Sequence, residues 1–130
     1  MTPGLSYFVI EHFLASAMMI GARGSYSAVV ATNPRYVLDF YTAARAGRWE
    51  EAARMQRCVS EFIHTAKAFI QGRGEGLMDP VFDKGSAVAC GAVYGHQRCR
   101  PPYIGWSDDT VKAFRELVAE DYPEFLYPDT

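Results

Sequence analysis

The chain has 130 residues, 49% of them hydrophobic, which is enough apolar material for one compact domain and argues against intrinsic disorder. A net charge of −2 argues against a general nucleic-acid binder, which needs a basic face. No apolar run approaches the roughly 20 residues that span a bilayer. Met1-Thr2-Pro3-Gly4 carries no basic leader, and the odd, irregularly spaced Cys58, Cys90 and Cys99 fit a reduced, cytoplasmic setting.

In chain order, the apolar, aromatic and β-branched run Leu5 to Ile10 reads as a buried strand. Glu11 to Ile20 has apolar residues at helical spacing (Phe13, Leu14, Ala17, Met18) and stops at Gly21. Ser25 to Val30 reads as a second strand. Asn33 followed by Pro34 is a helix start, an N-cap acceptor before a residue with no N–H to satisfy. The helix from Pro34 carries Tyr36, Val37, Phe40, Tyr41 and Ala44 on one stripe and ends at Gly47. A long helix over Trp49 to Gln71 follows, then a helix from Asp79 to about Tyr94 and an extended connector at Arg100-Pro101-Pro102-Tyr103. Ser107 is the expected N-cap of a last helix, Asp108 to Asp121, with acids in its first turn where the helix dipole favours them. Two strands alone do not make a parallel sheet covered on both faces, so this order implies neighbouring strands.

Several of these segments resemble the dihydrodipicolinate synthase / N-acetylneuraminate lyase superfamily, whose last two (β/α)8-barrel strands enclose a short helix. The second strand there opens on a Gly-Ala-x-Gly turn and carries a serine, as in Gly21-Ala22-Arg23-Gly24 and Ser25-Tyr26-Ser27-Ala28. Ala15 to Gly21 is similar to the family's helix seven, Asn33-Pro34-Arg35 to its next helix start, and Gly47-Arg48-Trp49-Glu50-Glu51-Ala52 to its helix end. The resemblance covers about Leu5 to Glu124. Asn33 to Phe40 and Gly95-His96-Gln97-Arg98 are most similar to the hydratase-aldolases.

The resemblance implies an α/β, mostly helical chain: the last strand-helix-strand of a (β/α)8 TIM barrel (residues 1–33) and a carboxyl-terminal helical bundle (residues 34–130). It implies a fragment of a class I lyase in which a lysine forms a Schiff base with pyruvate or another 2-oxo acid, with no metal and no cofactor. Relatives are commonly homo-oligomers. The family's lysine and its tyrosine proton shuttle lie on strands six and five, before the part that Leu5 resembles. Lys67, Lys84 and Lys112 fall in the helical region, so no catalytic residue carries over and this chain by itself is expected to be inactive. Ser27 matches the family's strand-eight serine, and Glu11 matches an acid after strand seven, with His12 where many relatives have a second acid. These three are the expected substrate-binding residues.

Other readings stand beside these. Glu11 suits a helix N-terminus on dipole grounds alone, and Ser27 suits a packed strand. His96, Arg98 and Arg100 could bind a carboxylate or tether the connector to a neighbouring subunit. His96, Cys90 and Cys99 match no closed zinc-site spacing. Tyr122, Phe125 and Tyr127 read as packing or interface. Ala43 to Met55 also resembles a helix-turn-helix repeat, but occurs once where such arrays need at least about three. A noncatalytic helical interaction module or an accessory subunit is therefore the alternative function.

Overall fold

The computed structural model describes residues 4–128. The chain is mostly helical with one small parallel sheet. Strand β1 (Phe8–Ile10) pairs with β2 (Gly24–Tyr26) in the register Phe8 to Gly24, Val9 to Ser25 and Ile10 to Tyr26. A parallel pair needs a crossover, supplied here by a 3-10 turn (Glu11–Phe13) and helix α1 (Leu14–Met19). A second 3-10 turn (Val29–Ala31) leads to helices α2 (Pro34–Arg45), α3 (Trp49–Gly72), α4 (Asp79–Ala89) and α5 (Asp108–Asp121).

The expected caps are present. The Asn33 side chain accepts from the backbone N–H groups of Arg35 and Tyr36, and the Ser107 hydroxyl accepts from that of Thr110. Helix α2 closes at Gly47, whose φ of +73° is accessible to glycine at little steric cost.

Three elements are shorter than the sequence suggests. The second strand stops at Tyr26 because local bonds draw the backbone out of the ladder: Ser27 Oγ accepts the Val30 N–H at 3.2 Å, and Ala31 N–H reaches Ala28 O. With only three partner residues on offer, β1 is also confined to Phe8–Ile10. Helix α4 ends at Ala89 rather than near Tyr94, since Gly91 turns left-handed and Ala92 N–H bonds back to Ala87 O.

The core lies between the helices. Phe40, Phe62, Phe114 and Phe125 are fully buried, with Leu14, Val59, Ile70 and Val118 around them. Phe62 and Phe125 stack at 4.2 Å between ring centroids, and Trp106 meets Phe114 edge-on at 5.3 Å. The sheet differs: Phe8, Ile10 and Tyr26 are 53%, 50% and 73% exposed. Exposed Phe13, Met19, Ile20, Val30 and Leu38 belong to the same amino-terminal layer.

Candidate functional site

Both parallel strands end at the same side of the molecule, and the residues that follow them are held by side-chain bonds. Glu11 directly follows β1 and is buried, with its Oε1 accepting the Ala28 backbone N–H at 2.9 Å. One carboxylate thus clamps the ends of both strands. His12 Nδ1 lies 3.4 Å from Ser60 Oγ on α3, and that hydroxyl donates to Gln56 O at 2.9 Å. With the serine proton so engaged, a neutral His12 donates from Nδ1 and keeps Nε2 as an acceptor. Ser27 uses a lone pair on Val30 N–H, which leaves its hydroxyl proton free to donate.

Glu11, His12 and Ser27 line one cleft of about 370 Å³, together with Ile10, Tyr26 and Ala28. The sequence reading did not include the opposite wall, which comes from the helical region: Ile63 and Lys67 of α3, and Asp79 and Asp83 of α4. Ile63 and Lys67, like Asp79 and Asp83, stand four apart on one helix face. Their spacing was readable, but the side of the sheet they meet was not. Burial, then the neighbouring Asp79 and Glu11 carboxylates, pushes the Asp83 carboxyl above its ordinary range. Among the described residues the one ion pair is Arg48–Glu51, so the Lys67 ammonium lines the cleft without a carboxylate partner.

The cleft therefore presents hydroxyl and ammonium donors opposite carboxylate and imidazole acceptors, on a partly apolar floor. It can hold and orient a polar substrate and exchange protons with it. It has no amine at the end of a strand, because Lys67 projects from a helix.

The remaining sequence candidates lie elsewhere. His96, Arg98 and Arg100 are exposed and outside the cleft. Cys90 is buried and Cys99 half-buried. Among the described residues no three His, Cys, Asp or Glu side chains are grouped to hold a metal ion. Tyr122 and Phe125 belong to the core cluster around Phe62. Among the described residues no helix is long and apolar enough to cross a membrane.

The arrangement is a parallel strand-helix-strand unit continued by a helical region, with a cleft at the strands' carboxyl ends. No family model matches the chain, and no curated protein matches it. A similar solved structure is that of YagE from E. coli K12, a prophage protein belonging to the dihydrodipicolinic acid synthase family, in complex with pyruvate. The likeness has a TM-score of 0.64 at 18% identity and covers 85% of this chain and 35% of YagE, so this chain spans about a third of that protein.

Proposed function

We propose that this chain is the carboxyl-terminal part of a class I, Schiff-base lyase that makes or breaks a carbon–carbon bond next to pyruvate or another 2-oxo acid. The carrying observation is that Glu11, His12 and Ser27 meet in one cleft at the carboxyl ends of two parallel strands. Barrel enzymes gather their substrate groups at that face. The fold likeness to a pyruvate-bound protein supports the reading.

In this reading β1 and β2 are strands seven and eight of a (β/α)8 barrel, residues 1–33 are a barrel segment, and residues 34–130 form the helical region. Neighbouring strands and helices would cover Phe8, Ile10, Phe13, Tyr26 and Leu38. The Schiff-base lysine belongs to an upstream strand, and the imine serves as the electron sink, so the chemistry calls for no metal. This chain binds and orients: Ser27 donates to a substrate oxygen, while Glu11 and His12 accept from substrate hydroxyls. Asn33 to Phe40 and Gly95 to Arg98 favour a hydratase-aldolase, releasing pyruvate and an aldehyde. The three free thiols favour a reducing, cytoplasmic setting.

The test begins with the coding sequence upstream of Met1. An in-frame extension should encode a tyrosine-bearing strand and then a lysine-bearing strand. That longer polypeptide, treated with pyruvate and borohydride, should gain a reduced adduct on the upstream lysine. The 130-residue chain should gain none. An adduct on Lys67, Lys84 or Lys112 would overturn the fragment reading. A stop codon before Met1 would favour the second reading, an accessory, noncatalytic subunit, which the lack of a strand-end lysine supports.

A further inference from the structure

Helix α3 turns one stripe of side chains toward the strand ends. Gln56, Ser60, Ile63 and Lys67 follow one another at spacings of four, three and four residues. At 3.6 residues per turn they fall within about 60° of one another on the helix surface. Ile63 and Lys67 line the cleft. Gln56 and Ser60, earlier on the same stripe, hold the chain that leaves β1.

The start of α1 has no side-chain cap of its own, since Phe13 occupies the N-cap position. An uncapped helix start leaves backbone N–H groups without acceptors. Gln56 supplies the acceptor from a different element: its Oε1 takes the Ala15 N–H at 2.8 Å and the Ser16 N–H at 3.4 Å. One turn further along α3, Ser60 Oγ donates to Gln56 O at 2.9 Å and lies 3.4 Å from His12 Nδ1. A hydroxyl that has given its proton to a carbonyl can only accept from its next neighbour. His12 is half-buried and lines the cleft. The bond at one ring nitrogen therefore decides what the other nitrogen offers there.

We propose that Ser60 and Gln56 are positioning residues for the cleft, acting through His12. Ser60 holds the neutral ring in the Nδ1–H tautomer, so that Nε2 meets the substrate as an acceptor. Gln56 fixes the turn that carries the ring. The consequence is selective: an Nε2 acceptor pairs with a substrate hydroxyl and leaves a carbonyl or carboxylate oxygen at that point without a donor. In the Nε2–H tautomer the choice reverses. Ser60 thus selects for a hydroxyl-bearing substrate from the far side of the ring. The role in substrate choice rests on the lyase reading, whereas the tautomer does not.

The test reads the histidine tautomers of the isotope-labelled 130-residue chain from long-range nitrogen–proton NMR correlations, in mildly alkaline solution where an ordinary histidine is neutral. His12 should carry its proton mainly on Nδ1. His96, whose Nδ1 accepts the Arg98 N–H at 3.2 Å, should show the opposite tautomer and serves as the internal reference. Ser60→Ala should lower the His12 ratio of Nδ1–H to Nε2–H roughly fivefold or more, the effect of one lost hydrogen bond, without moving His96. Ser60→Thr, which keeps the hydroxyl, should restore the ratio. Gln56→Ala should speed amide exchange at Ala15 and Ser16 and shift the His12 ratio in the same direction. Gln56→Glu, which keeps an oxygen acceptor, should do neither. A His12 ring protonated at Nε2 in the unmodified chain overturns the proposal, and so does a ratio that either alanine variant leaves unchanged. A ratio that Ser60→Thr fails to restore overturns it too, because altered packing would then be the cause. None of these readings needs an upstream lysine, so the borohydride experiment decides the lyase reading separately.

Discussion

The Glu11 carboxylate accepts the Ala28 backbone N–H at 2.9 Å, joining the ends of β1 and β2 through a buried side chain. The strands share only three residue pairs, so this bond bears on whether the cleft keeps its shape. Glu11→Ala leaves the Ala28 N–H without its acceptor and should destabilise the fold by about 1–3 kcal/mol. Glu11→Gln keeps an oxygen acceptor and should lose less. Urea unfolding of the two variants checks the order, and equal losses would show that the bond contributes nothing.

Asn33 acts at both ends of the helical region. Its Oδ1 caps α2, while its Nδ2 donates to Glu124 O at 2.9 Å and Leu126 O at 3.1 Å. Asn33→Ser should retain the cap and lose the tail bonds, at about 1 kcal/mol. Asn33→Ala loses both and should fall roughly 2–3 kcal/mol. Proteolysis after the Phe125 region should accelerate in both variants.

Gly85 sits in α4, where alanine would ordinarily gain about 1 kcal/mol of helix propensity. Its position against Trp106 reverses the sign, because a Cβ there would lie 2.4 Å from the indole ring. Trp106 cannot easily yield, since its Nε1 donates to Gly76 O at 3.0 Å and its ring abuts Phe82 and Phe114. Gly85→Ala should therefore cost about 2 kcal/mol net, within the usual range for overpacking. A lower melting temperature with a weakened near-ultraviolet dichroism signal is the expected result.

Burial and the Glu124 contact push the Cys58 thiol up to about 11, and burial pushes Cys90 up to about 12. Cys58 Sγ donates to Glu124 Oε1 at 2.7 Å, a bond the thiolate cannot make. Both shifts are upward, so the unfolded chain ionises first. Stability is fully present below the ordinary thiol value of 9.0 and is lost as pH rises from there toward about 11 for Cys58 and about 12 for Cys90. Urea midpoints should decline over that interval, and Cys58→Ser should flatten part of the decline. An unchanged slope in that variant would remove Cys58 as the cause.

Much of the fold was legible in the sequence because its signals are local. Asn33-Pro34, Gly47 and Ser107 fix helix ends through bonds and dihedral angles within a few residues, and the apolar spacing along α3 names its buried face. The reading failed where local bonds compete with pairing. Ser25 to Val30 has strand composition, yet the Ser27 hydroxyl and the Glu11 carboxylate take the N–H groups of Val30 and Ala28.

By itself the sequence determined where the helices lie and the caps at Asn33 and Ser107, while the family resemblance supplied Glu11, His12 and Ser27 as candidates. Only the tertiary structure decided that these three share one cleft, and that Lys67, Asp79 and Asp83 form its other wall. Periodicity tells which side of a helix is apolar. The partner that side meets is set by long-range packing, as where Phe62 stacks on Phe125, and no local spacing encodes that meeting.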